Sequence, residues 1–265
     1  MSENYRKEVR KDKSIIFLVE KKFKIDEYLL KRIPPFITPK MLNMIGFFAA
    51  VFAGISFFLT KFNKIWFLGS FFGVLVYFFC DRYDGRLARK RKIVSKRGFY
   101  ADHMFDTLAV AVIMLGLGLS GNVSIILALS IIVVYYILAI NTFLITYLSR
   151  EFNPTFFFLG PAEALCVLLL LSFFSLFLPY PLILFKIFSF EVTLFNFVAF
   201  LSLVILIFLA THSIIMNLKH LEKFERNNRK ITFSDYLKRT KIGKKVRRKL
   251  LFINSLKKSF KKVKS

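Results

Sequence analysis

Two cysteines and one tryptophan among 265 residues leave little material for a disulfide framework, and Cys80 and Cys166 do not stand at a zinc-ligating spacing. Both fall inside apolar segments and read as reduced packing residues. Acidic residues are scarce, with 16 Asp plus Glu against 41 Lys plus Arg, which leaves a formal net charge of +25. No glycine-rich phosphate loop and no internal repeat occurs. The first 40 residues carry 11 basic residues and no adequate apolar stretch, so a cleaved signal peptide is not expected.

What the chain has in excess is apolar and basic. Hydrophobic residues make up 56% and aromatic residues 17%, with 35 Phe, against the ~45–50% apolar share of an ordinary soluble domain. A chain this apolar and this basic cannot mix the two classes in one soluble core. They must be segregated along the sequence, as in a membrane protein with basic water-facing segments.

Crossing a ~30 Å hydrocarbon core takes roughly 18 or more mostly apolar residues. Six such runs are found: Met41 to Thr60, Ile65 to about Arg86, Phe99 to Ser120, Val123 to Leu148, about Gly160 to Leu178, and Thr193 to Met216. The second is purely apolar only from Ile65 to Cys80. The expected fold is therefore an all-α integral membrane protein with six transmembrane helices. Short loops rich in Lys and Arg stay cytoplasmic. Six crossings put 38 of the 41 basic residues on one side, together with both termini, and leave only Lys61, Lys64 and Lys186 on the other. An odd number of crossings destroys this partition.

The flanks divide the chain into a cytoplasmic segment over 1–40, a membrane domain over 41–217 and a basic cytoplasmic tail over 218–265. Ser14 to Arg32 mixes apolar residues with Lys21, Lys22, Lys24, Lys31 and Arg32, which suggests an amphipathic helix on the bilayer surface. Pro34, Pro35 and Pro39 end it. The tail carries Lys244, Lys245, Arg247, Arg248 and Lys249 beside Leu250, Leu251, Phe252 and Ile253. Anionic lipid is the partner expected for such a tethered, apolar-spaced basic run, and nucleic acid is not.

The few acids say more. Asp81, Asp84, Asp102, Asp106 and Glu163 lie in or at the ends of crossings, where an ionised carboxylate costs ~2.5–3.5 kcal/mol at mid-bilayer. Asp81, Asp84, Gly85 and Ala88 share one helical stripe, and Gly98, Asp102 and Asp106 share another. The short loop between them makes the second and third crossings antiparallel neighbours, so the two acidic stripes can face each other. Carboxylates converging this way repel one another unless cations sit between them, and oxygen-only ligation selects hard ions such as Mg²⁺ or Mn²⁺. The bland alternative is solvation, or pairing with Arg82, Arg86 and Arg89. Small residues at Gly85, Ala88 and Gly98 leave room for close helix approach or a ligand.

Asp81-x-x-Asp84-Gly85-x-x-Ala88-Arg89, eight residues, then Gly98-x-x-x-Asp102-x-x-x-Asp106 resembles the signature of the CDP-alcohol phosphotransferases at every fixed position. Ile37-Thr38-Pro39 is similar to that family's opening segment, and Gly160-Pro161-x-Glu163 to a feature of some of its branches. The resemblance implies a transferase of substituted phosphate groups in phospholipid biosynthesis. Such an enzyme moves a phospho-alcohol or phosphatidyl group from a CDP-activated donor to an acceptor hydroxyl and releases CMP. It implies a two-metal site of Mg²⁺ or Mn²⁺ held by Asp81, Asp84, Asp102 and Asp106, with Asp106 also the base. It implies a donor held by Asp81, Asp84, Gly85, Ala88, Arg89 and Gly98, and a homodimer. The active site belongs at the cytoplasmic face of a plasma (inner) or endoplasmic reticulum membrane, because the nucleotide is soluble and one partner is a lipid.

Glu163 and Arg150 are candidates for substrate placement, with helix capping and the positive-loop rule as their bland alternatives. His103 points about 100° away from Asp102 around the helix, and ordinary hydrogen bonding is its expected role. Asn141 and Thr146 are expected to hydrogen-bond between helices. CDP-diacylglycerol with a small soluble alcohol and CDP-choline or CDP-ethanolamine with diacylglycerol both stay open. Asp102-His103-x-x-Asp106 leans to the second, and Thr107 where a Lys might stand weakens a glycerol-phosphate acceptor. A cation transporter is the alternative from a different class, but broken midplane helices and pseudo-symmetric halves are not evident.

Overall fold

The computed structural model describes residues 9–10, 25–149, 151–152, 161–179, 183–187 and 190–239. Seven helices dominate the described residues: α1 (Ile25–Arg32), α2 (Pro39–Leu59), α3 (Trp66–Lys90), α4 (Lys96–Ser120), α5 (Ile125–Ser149), α6 (Pro161–Phe177) and α7 (Leu194–Arg239). The expected amphipathic helix is described only as α1, and its part from Ser14 to Lys24 lies outside the described residues. So do Arg150, Gly160 and the tail from residue 240 onward.

Four helical stretches are long and apolar enough to cross a membrane: Pro39–Leu59, Lys96–Ser120, Ile125–Leu148 and Leu194–Glu222. Helices also stand over the other two expected crossings. There α3 carries the charged motif in its last third, and α6 has only 17 residues. Four short strands accompany the helices, which the all-α expectation did not include. β1 (Val9–Arg10) pairs in parallel with β2 (Glu151–Phe152), and β3 (Ile183–Ile187) pairs antiparallel with β4 (Phe190–Thr193) just before α7. Ile-Leu-Phe-Lys-Ile suits a pleated ladder and is too short to span a bilayer.

Local chemistry sets the helix ends nearest the acids. Thr38 caps α2 by accepting a hydrogen bond from Met41 N at 3.2 Å, with Pro39 in the first turn. Ser95 caps α4 by accepting from Gly98 N at 3.0 Å. Gly121 ends α4 with φ of 83°, a left-handed conformation that favours glycine.

The fold divides into two compact units, one up to Ser213 and one from Ile214. In the first, α2 is the central element, packed along both α3 and α4, while α3 and α4 touch each other sparingly. The sequence pattern suggested direct neighbours; small residues on α2 let it sit between them. A Cβ on Gly54 would lie 2.6 Å from the Val112 carbonyl oxygen, and one on Gly73 2.8 Å from the Ala53 Cβ. Backbones approach this closely only where side chains are absent, the usual device of membrane helix packing. Ala50, Ala53, Phe57, Phe67, Val74, Ile113 and Leu117 fill the core, and large apolar residues such as Phe48, Phe52 and Ile55 face outward. The second unit contains the charged part of α7.

Polar groups close the end of the bundle away from the acids. Asn122 donates through Nδ2 to Thr60 Oγ1 (2.7 Å) and Ser120 Oγ (2.8 Å). Thr60 in turn donates to Phe57 O, and Ser120 to Leu117 O. Thr193 donates to Asn122 O, and Asn196 Oδ1 accepts from Ser124 N at 2.7 Å. Along the bundle, Asn141 donates to Ser213 Oγ at 2.7 Å, the expected interhelical bond. Thr146 instead donates to Thr142 O in its own helix, because its short hydroxyl reaches the carbonyl one turn back.

Candidate active site

The last turns of α3 and the first turns of α4 bring the four motif carboxylates together. Asp84 lies within side-chain hydrogen-bonding reach of Asp102, and Asp81 within reach of Asp106. Each pair joins one helix to the other, as the two stripes required. Asp84 is 5% exposed, and its Oδ1 also meets the Gly85 backbone N–H.

Two residues that sequence reasoning did not select complete this cluster. Asn43, in the second turn of α2, donates through Nδ2 to Asp84 Oδ2 at 3.1 Å and to Asp102 Oδ1 at 3.2 Å. One amide thus ties an acid from α3 to an acid from α4, which is possible because α2 lies between them. Its own Oδ1 is buried and accepts no hydrogen bond. Leaving such an acceptor unmet costs about 1–3 kcal/mol. Tyr77 donates to Asp106 Oδ1 at 3.3 Å. Signals for both existed: Asn43 is a polar residue inside an apolar run, and Tyr77 stands four residues before Asp81 on the same stripe.

His103 is nearer the acids than its helical angle suggested. Its Nδ1 lies 3.4 Å from Asp102 Oδ2, and its ring packs between Phe99 (4.1 Å between centroids) and Phe143 (5.3 Å). Asp102, His103 and Asp106 each offer one ligand atom, and these atoms lie within 4.8 Å of one another.

The remaining motif residues surround the acids from α3 and α4. A Cβ on Gly85 would sit 3.4 Å from Arg89 Nη1, so the glycine leaves space where that guanidinium folds back. Ala88 is half-buried one turn from Asp84. Gly98 donates its backbone N–H to the Ser95 cap, and a Cβ there would lie 3.1 Å from Ser95 Oγ. Glu163 stands in the first turn of α6 behind Pro161.

Arg91, just past α3, holds the chain leading into α2. Its guanidinium donates to Pro34 O (3.0 Å), Pro35 O (3.2 Å) and Ile37 O (2.5 Å). Beneath it, Leu29, Leu30, Ile33 and Ile37 pack against Leu42, Cys80, Tyr83 and Leu87. This contact fixes the start of α2, and with it Asn43, against the acidic end of α3.

Chemically, the cluster gathers four carboxylates beside one amide and one imidazole. It can hold a hard divalent cation, with which four carboxylates and an unmet amide oxygen are compatible. A family model described as CDP-alcohol phosphatidyltransferase matches residues 36–209, a span that contains α2 to α6, the first turns of α7 and every residue of the cluster. No curated protein gives a significant match.

Proposed function

Because the chain belongs to the CDP-alcohol phosphatidyltransferase family, we propose that it transfers a phospho-alcohol or phosphatidyl group from a CDP-activated donor to an acceptor hydroxyl, releasing CMP. The observation that carries this reading is the meeting of Asp81, Asp84, Asp102 and Asp106 from two helices in one cluster. In the reaction the acceptor oxygen forms a bond to the phosphorus of the transferred group. The bond from that phosphorus to the oxygen bridging the diphosphate breaks, and the electron pair leaves on CMP.

Each residue has a task in that step. Asp106 takes the proton of the acceptor hydroxyl as its oxygen attacks, with the Tyr77 hydroxyl steadying the carboxylate. Asp81, Asp84 and Asp102, with Asp106, would hold Mg²⁺ or Mn²⁺ in a two-metal site. Such ions neutralise the charge that builds on a breaking diphosphate. Before a cation binds, Asn43 keeps Asp84 and Asp102 turned toward each other across the helix junction. Gly85, Ala88 and Gly98 admit the nucleotide, and Arg89 contacts its phosphates through its forked donors. Arg150 and Glu163 place the second substrate.

The enzyme is a homodimer of six-crossing chains with both termini in the cytoplasm. It works at the cytoplasmic face of a plasma (inner) or endoplasmic reticulum membrane, with segments 1–40 and 218–265 in water. Its basic tail lies on anionic lipid. The test is to offer purified protein a panel of CDP-donors and acceptors and identify the lipid product by mass. One donor and acceptor pair should give a new phospholipid and equimolar CMP. CMP release from no donor would overturn the reading.

A further inference from the structure

We propose that Asn43 is a ligand of the cation held between Asp84 and Asp102, supplying its amide oxygen. This rests on the metal role proposed above for the carboxylates. In the structure the Asn43 amide lies against both acids and offers each an N–H from Nδ2. An N–H pair between two carboxylates does what a cation does there: it places positive charge between like charges. Oδ1 of the same amide is buried with no hydrogen-bond partner.

These two facts fit one residue serving two states. Without a cation, Nδ2 stands in for it. With a cation drawn to the same carboxylates, N–H donors would face a positive ion, an arrangement that repels. Half a turn about the last side-chain bond exchanges Nδ2 and Oδ1, which are nearly equal in size, and leaves the rest of the residue in place. The neutral oxygen then joins the carboxylate oxygens around a hard ion, a donor type such ions accept. The N–H group moves to the position where Oδ1 now finds no partner, so an unmet donor replaces an unmet acceptor and the ion's attraction for Oδ1 decides between the two states. Neither neighbour on the same helix can do this, because Leu42 and Met44 carry no oxygen in their side chains.

The probe is Mn²⁺ alone, bound to the full-length protein in detergent and followed by electron paramagnetic resonance. Asn43→Ala should weaken Mn²⁺ binding by about 10–100-fold, the range seen when a supporting residue of a metal site is lost. Asn43→Asp, which keeps an oxygen and lacks the N–H pair, should retain binding. Electron–nuclear double resonance on wild-type protein grown with carbonyl-¹³C asparagine should show a ¹³C coupling to the bound Mn²⁺. That coupling requires no variant to fold. Unchanged affinity in Asn43→Ala, affinity in Asn43→Asp as weak as in Asn43→Ala, or bound Mn²⁺ without ¹³C coupling would each overturn the proposal while leaving the carboxylate site intact. Wild-type protein that binds no Mn²⁺, or Asp84→Asn that binds it normally, would overturn the metal reading itself.

Discussion

Asn122 and Asn43 stand at opposite ends of the same three helices, and each reaches across to two partners. Asn122 gives its N–H pair to two neutral hydroxyls, Thr60 and Ser120, which pass their own protons to carbonyls in the same turns. Asn43 gives its pair to two carboxylates that would otherwise repel each other, and its oxygen is left unmet. One end holds a hydrogen-bonded circuit around Asn122; the other is short of positive charge. A cleft of about 190 Å³ lies at the closed end, lined by Lys61, Ser120, Asn122 and Thr193. A hollow alone therefore does not mark the chemistry, whereas an excess of acceptors does. Buried polar groups that satisfy one another hold a fold together, whereas converging carboxylates call for positive charge.

The contrast is broken most severely at Asp106. Asp106→Asn keeps the shape and one oxygen but cannot take the acceptor's proton, so turnover should fall by about 10²–10⁴-fold. Calorimetric binding of the CDP-donor with metal present should survive better in Asp106→Asn than in Asp84→Asn. Near-normal turnover in Asp106→Asn would assign the base to another group.

A change at the closed end should do the reverse. Asn122→Ala strips two hydrogen bonds from a residue only 4% exposed and should cost about 1–3 kcal/mol of stability. Turnover per folded molecule should not change, as read by thermal unfolding beside a CMP-release assay. A selective loss of turnover without loss of stability would show that this end takes part in the chemistry. Smaller still is Asn141→Ala, which removes the interhelical bond to Ser213 Oγ. Such interhelical bonds average about 0.6 kcal/mol, so its unfolding temperature should move less than that of Asn122→Ala.

The difference between the two ends was only half legible in the sequence. Acids at helical spacing are visible because they are rare in apolar segments and repeat on one face, so Asp81, Asp84, Asp102 and Asp106 could be placed together before any fold was known. The start of α2 was legible to within two residues beside Pro39, whereas the Ser95 cap of α4 was not read and the helix begins at Lys96 rather than the expected Phe99. Asn43 was visible only as a polar residue in an apolar run, because its role depends on α2 lying between α3 and α4, and that arrangement follows from Gly54 and Gly73 meeting backbone and Cβ atoms of other helices. Spacing within one helix cannot reveal a partner on another. Thr146 shows the same limit in reverse: a hydroxyl in an apolar helix pointed to a neighbour, but its own backbone was closer. The strands before α7 escaped notice because a five-residue apolar run inside a hydrophobic chain has no distinguishing period.

On this reading the acidic end is incomplete without a divalent cation. This requirement is tested most directly by CMP release from a CDP-donor and acceptor by purified protein, before and after exhaustive chelation. Activity should vanish with chelator, return with Mg²⁺ or Mn²⁺, and return poorly with the larger Ca²⁺. Full activity in thoroughly chelated protein would contradict the account.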